Sequence, residues 1–170
     1  MNPTRLETEE QRLAGLAGKY LTFRLNREVY AIPVLDVREI IRYTDITPVP
    51  HMPSHVKGVI NLRGKIIPIT DLRLRFQLPE SPVTDLTCII VVQVSGPSQH
   101  SLLMGLIVDA VEAVIQIHAR ELEPPPEFGT GVLTEGVLAM AKCDKRVVTL
   151  LDTRCLVLEA ACSIPQPTCP

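Results

Sequence analysis

No stretch of this 170-residue sequence stays apolar for the roughly 20 residues that a helix needs to cross a bilayer; its longest apolar runs are strand-sized. The first nineteen residues, MNPTRLETEEQRLAGLAGK, hold no apolar signal core, so the expectation is a soluble cytoplasmic protein. A basic surplus is missing as well: 17 Lys and Arg stand against 19 Asp and Glu, giving a formal charge of −2 and a pI near 6.1. With no Lys/Arg-dense run and no aromatic RNA-binding motif, nucleic acid is a poor partner. Catalytic signatures are absent too. No GxSxG elbow, HExxH helix or phosphate-binding GxxxxGK loop occurs, and Ser54, Cys88 and Cys143 are nucleophiles without a frame.

The five cysteines (Cys88, Cys143, Cys155, Cys162, Cys169) include no CxxC pair, which argues against a zinc site or a disulfide framework. Cys88, inside TCIIVVQV, reads as a small core residue. His51 and His55 stand four apart, but Pro50 and Pro53 make their segment a loop, so the spacing does not align them as metal ligands. No cofactor is called for.

What the chain does have is 46% hydrophobic residues, enough for one ordinary domain or two small lobes sharing a core. From Lys19 the pattern turns strand-like: in YLTFRL, Leu21, Phe23 and Leu25 share a face, and Asn26-Arg27 can turn the chain into EVYAI. After Pro33, the spacing of Val34, Val37, Ile40 and Ile41 predicts a short amphipathic helix, with Asp36, Glu39 and Arg42 more exposed. The proline-rich ITPVPHMPSH then crosses to VKGVIN and KIIPITD, a second hairpin.

This order recurs. MGLIVDAVEAV at 104–114 parallels YAIPVLDVREI at 30–40 with a constant spacing of 74, pairing Tyr30 with Met104, Val37 with Val111 and Ile40 with Val114. GVLAMAKCDKRVVTLLDTR at 136–154 parallels GVINLRGKIIPITDLR at 58–73, pairing Gly58 with Gly136 and Asp71 with Asp152 and placing three extra residues in the second turn. Two units of about five short strands follow, a size suited to small closed barrels filled by their own side chains. An apolar seam is expected from Ile66, Ile69, Val147 and Leu150, with a groove between lobes and strand exchange between the halves open. Asp71 and Asp152, at equivalent strand ends, suit turn or cap hydrogen bonding better than catalysis.

Within the hairpin 58–72, Asn61 and Gly64 shape the turn, but the turn has no structural need for Arg63. The matching turn of the second unit reads AMAKCDK and carries no such motif. That asymmetry favours Arg63 as a contact with a partner, since arginine is enriched among interface anchors.

The succession YLTFRLNREVYAIPVLDVREI, ITPVP and VKGVINLRGKIIPITDLRLRF, followed by a degenerate copy with VDAVEAV and EPPPEF, closely resembles the CheW family of bacterial chemotaxis coupling proteins, over roughly residues 19–158. The resemblance implies a mainly β fold of two SH3-like five-stranded barrel lobes with short helices. It also implies no catalysis, and an adaptor that joins chemoreceptor cytoplasmic tips to the regulatory domain of the histidine kinase CheA at membrane-associated arrays. The division it suggests is a flexible tail at 1–18, a CheW-like domain at 19–160 (repeats about 19–78 and 85–158) and a flexible tail at 161–170. The partner-binding positions it implies are Val37, Glu39, Gly58, Asn61, Arg63 and Gly64. Three of these have plainer readings: core packing for Val37, a solvated helix face for Glu39, and a backbone of close approach or unusual torsion for Gly58. The chain departs from the family pattern at Ala31, at Pro33 and in the tail CSIPQPTCP, which lacks a long C-terminal helix. A small-ligand-binding β-barrel is the competing class, and short strands leave it little interior.

Overall fold

The structure, a computed structural model, describes residues 3–79, 81–96, 100–125 and 136–163. A helix α1 (Pro3–Gly15) leads into the hairpin β1 (Gly18–Leu25) and β2 (Glu28–Pro33), then β3 (Val37–Arg42). The second hairpin, β4 (Val56–Leu62) and β5 (Lys65–Asp71), ends in one turn of helix, α2 (Leu72–Arg75). The order then repeats as β6 (Cys88–Ser95), β7 (Ser101–Val108), β8 (Ala110–Ile117), a two-residue β9 (Leu122–Glu123), β10 (Val137–Cys143), β11 (Arg146–Leu151) and α3 (Thr153–Ser163).

The halves exchange strands. One sheet runs β8-β1-β2-β11-β10-β9 and the other β3-β6-β7-β5-β4, so each SH3-like lobe combines the leading hairpin of one repeat with the trailing strands of the other. The parallel pairs β2/β11 and β5/β7 mark the exchange. Lobe boundaries therefore differ from repeat boundaries.

The leading hairpins lie between two cores and are apolar on both faces. On β6, Ile89 and Val91 point into the five-stranded lobe with Ile60, Ile67, Ile69 and Ile107, while Ile90 and Val92 face the seam. On β1, Tyr20 joins the interior of the six-stranded lobe with Ala31, Val148 and Leu150, while Leu21, Phe23 and Leu25 face the seam. The seam itself is built from these residues with Ile32, Leu72, Met104, Leu106, Leu151, Leu156 and Val157. It corrects the expected set: Ile69 and Leu150 are buried, but each inside its own lobe, whereas Ile66 and Val147 are 66% and 52% exposed. Strand alternation explains the exchange, because Ile67 and Val148, one residue on, take the inward face.

The helix expected after Pro33 is instead a single 3-10 turn (Val34–Asp36) followed by β3. The segment VREIIR alternates half-buried and exposed positions, but its register on β6 slips by one between Val37 and Glu39, so Val37, opposite Val92, packs on the seam while Glu39 and Ile41, opposite Val91 and Ile89, take the face of the five-stranded lobe. Apolar residues at 34, 37, 40 and 41 satisfy a helical spacing, but pairing with the apolar β6 offers five strand partners and prevails. The expected flexible tail at 1–18 contains α1, whose last turn places Leu13 against the six-stranded lobe and from which Arg12 donates to the Leu138 carbonyl at 3.1 Å. Of the expected tail at 161–170, residues 161–163 end α3 and the remainder lies outside the described residues.

Candidate partner-binding site

Leu62 pairs with Lys65, leaving Arg63-Gly64 as a two-residue turn with φ of 53° and 86°. Positive φ at both positions is the primed hairpin turn that matches strand twist, and it is normally filled by Asn, Asp or Gly. Gly64 meets the requirement freely, and the Asn61 side-chain oxygen accepts from the Gly64 amide at 2.9 Å. Arg63 does not; holding a side chain of that size in the left-handed region costs about 1 kcal/mol. The hairpin tip thus carries an arginine against its local preference.

The guanidinium reaches across to β3. Arg63 Nη1 and Nη2 donate to Glu39 Oε1 and Oε2, each at 3.0 Å, in a two-pronged pair. Since β3 and β4 are the outer strands of the five-stranded sheet, the pair ties its two edges together. Arg63 remains 78% exposed, against 22% for Glu39. In that much water the pair contributes at most about 1 kcal/mol, so its main effect is to aim the fork rather than to hold the fold.

The structure thus brings Glu39, Asn61, Arg63 and Gly64 together at one hairpin tip. Val37 lies two residues from Glu39 but across the register slip, half-buried and packed against the seam on the other face of the sheet. Gly58 answers to backbone geometry: its φ is 145°, and a Cβ there would lie 2.0 Å from the Thr47 carbonyl oxygen, where the 43–50 segment bridges Val59. Glu39 lies on a strand, not on the expected helix, and its pairing with Arg63 was not foreseen.

The register also corrects the repeat. Cys143 pairs with Arg146, so the second hairpin has the same two-residue turn, Asp144-Lys145, with Asp144 at φ 54°. The equivalent of Gly58 is then Ala139 rather than Gly136, and the three extra residues precede the hairpin instead of lengthening its turn. Asp144 stands where Arg63 does, and Ala113 where Glu39 does. The second lobe tethers its hairpin differently, through Arg146 to Glu112 at 3.0 Å, with Arg24 on the other oxygen at 3.5 Å.

Sequence reading missed a buried network at the other end of β5 from the tip. Asp71 caps α2 by accepting from the Arg73 amide at 2.9 Å, and Asp152 accepts likewise from the Arg154 amide at 3.1 Å, as expected for caps. Beyond capping, Arg73 donates to both Asp71 oxygens, to Asp109 Oδ1 at 3.0 Å and to the Ser81 carbonyl at 2.8 Å. Asp109 in turn accepts from the Asn26 amide at 2.6 Å, joining the first hairpin turn to the far lobe. Hydrogen bonding to Asp71 holds the Arg73 guanidinium above its usual pKa, outweighing burial. The signal for this was the DLR sequence and the Asn26 turn, but their meeting depends on strand exchange.

Beside the tip, exposed Ile66 edges a groove of about 480 Å³ lined by Lys65, Pro68, Leu102, Leu103, Met104 and Val157. Among the described residues no cluster of His, Cys, Asp and Glu is arranged to hold a metal, and no helix is long and apolar enough to cross a membrane.

Fold and surface together define a two-lobed β protein with a projecting, ion-paired hairpin on one lobe. Residues 19–160 match the family model for the CheW-like domain. The chain is 34% identical to the chemotaxis protein CheW of Klebsiella aerogenes over 83% of each chain, and 33% identical to that of Bacillus subtilis over 82% of this chain and 86% of that one. The crystal structure of the scaffolding protein TtCheW from Thermoanaerobacter tengcongensis superimposes with a TM-score of 0.72 at 36% identity, covering 81% of this chain and 86% of that one. This chain belongs to the CheW-like family. Its role is that of a chemotaxis coupling protein, an adaptor.

Proposed function

We propose that the chain links chemoreceptor cytoplasmic tips to the regulatory domain of CheA at membrane-associated arrays, and that Val37, Glu39, Gly58, Asn61, Arg63 and Gly64 form or shape the coupling surface. The observation that carries this is Arg63: an exposed arginine in a backbone conformation suited to Asn or Gly, aimed by a two-pronged pair with Glu39, in one lobe only. Glu39 and Arg63 supply the polar contact, Asn61 and Gly64 set the turn, Gly58 lets the 43–50 segment lie against β4, and Val37 supports the strand. The adjoining Ile66 groove offers an apolar surface for a receptor helix. The barrel alternative has less support, because the lobe interiors are filled by Ile67, Ile69, Ile89 and Ile107 in one and Ile117, Val148 and Leu150 in the other.

The test is a reconstituted mixture of receptor tip, CheA and this protein, scored for ternary assembly and kinase activation. Arg63→Glu is expected to weaken assembly by more than about tenfold, because it repels both Glu39 and an acidic partner group. Wild-type assembly by this variant would remove Arg63 from the surface.

A further inference from the structure

The two ends of the lobe interface are related by the repeat, and only one is filled. At the first, the arginine after β5 (Arg73) folds back between Asp71 and Asp109, the latter lying in the β7–β8 connection and held by the β1–β2 turn. At the second, the arginine after β11 is Arg154, and the acid is Asp36, in the β2–β3 connection, one place along from the residue equivalent to Asp109. The strands facing it are the ends of β6 and β7. Here Arg154 is exposed, and a pocket of about 370 Å³ opens between Leu35, Asp36, Gln93, Ser95, Ser101 and Arg154.

The difference has a physical cause. Arg73 is satisfied by a third acceptor, the Ser81 carbonyl, supplied by the loop that follows the single turn of α2. After Arg154 the chain continues as the longer helix α3, and among the described residues no carbonyl accepts from the Arg154 side chain. Arg154 therefore stays exposed at the rim of the pocket, and Asp36, partly buried, makes no ion pair among the described residues. Burial raises the Asp36 pKa and Asp152 adds to the rise, with the neighbouring Thr153 hydroxyl acting the other way. A guanidinium entering from outside would restore the contact that the first end makes internally, with Ser95 and Ser101 as further acceptors.

We propose that this pocket is a docking site for an arginine side chain of a partner protein, taken between Asp36 and the Ser95 and Ser101 side chains. It rests on the adaptor reading for the existence of a partner, and on the internal Arg73 site for the chemistry. The planar fork is the group that the first end accepts, and a lysine ammonium would fill the pocket less completely. Arg154, at the rim, competes electrostatically with the incoming cation.

The experiment is amide-resolved NMR of the full-length protein titrated with acetyl-Gly-Arg-Gly-amide, with the lysine and citrulline peptides as controls. The expected result is saturable shifts at the amides of Asp36, Gln93, Ser95 and Ser101 with the arginine peptide, weaker ones with lysine and none with citrulline. Asp36→Asn, which keeps the fold, should lower the affinity about fivefold or more, and Arg154→Ala should raise it. Equal shifts with citrulline, shifts scattered over other acidic sites, or an unchanged Asp36→Asn titration would overturn the proposal. Wild-type assembly with receptor and kinase, measured separately, distinguishes its failure from failure of the adaptor reading.

Discussion

At one end of the lobe interface Arg73 is 3% exposed and bonded to two carboxylates and a carbonyl; at the related end Arg154 stands in solvent beside an open pocket. At the hairpin tips the contrast has another form. The five-stranded lobe projects Arg63, tied to the sheet edge through Glu39, while the other lobe presents Asp144 and tethers its hairpin one strand position away, through Arg146 and Glu112. Duplication has thus kept the backbone, including two-residue turns with positive φ, and changed the charge at each projecting point. An adaptor with two different partners needs that combination: one rigid body with chemically unlike ends.

The buried end is where the comparison can be broken most severely. Arg73→Ala would strand Asp71, a fully buried carboxylate, without its cation, and a loss of about 3–5 kcal/mol is expected in chemical denaturation. Arg154→Ala should stay within about 0.5 kcal/mol of wild type. Equal losses would mean that the two ends are alike after all. The hairpin strands give the next largest difference. Gly58→Ala forces a Cβ into the Thr47 carbonyl from a φ that disfavours side chains, and more than about 2 kcal/mol should be lost. Ala139→Gly, at the equivalent position, should cost only about 1 kcal/mol.

A smaller effect follows from the open pocket. The Asp36 pKa is raised in the folded protein from its ordinary 3.8, chiefly by burial. The folded state therefore holds this proton to higher pH than the unfolded chain does, and the group's contribution is favourable in acid and lost as pH rises through the folded pKa. Asp36→Asn should accordingly be more stable than wild type at pH 7, with the gap closing below about pH 3, in paired melts across that range. A gap independent of pH would remove burial of the carboxylate as its cause.

Much of the architecture was legible because strand pattern and turn chemistry agreed. YLTFRL with Asn26-Arg27, and VKGVINL with Arg63-Gly64, fold as the hairpins their alternation describes. Where local signals conflicted, the longer-range partner decided: VREIIR satisfies two periods, and β6 selects the strand. Strand exchange left little local trace, since a run apolar on both faces, such as CIIVV, shows that it is covered twice but not by what. The seam was misassigned at Ile66 and Val147 for the same reason, because a one-residue shift in register moves a side chain from core to solvent. The Arg63–Glu39 pair lay within the candidate set, while the Arg73 network did not, its members being drawn from four chain segments.

The central claim is that Arg63 is kept for contact at the expense of its own turn. Arg63→Asn tests it most directly, because Asn-Gly is the favoured filling of this turn and the variant deletes the fork without disturbing the backbone. Thermal melts should show stability equal to or above wild type, within about 1 kcal/mol, as relief of the left-handed arginine offsets the lost surface pair. Ternary assembly with receptor tip and CheA should fall by at least about tenfold. Full assembly by a stable Arg63→Asn protein would contradict the account.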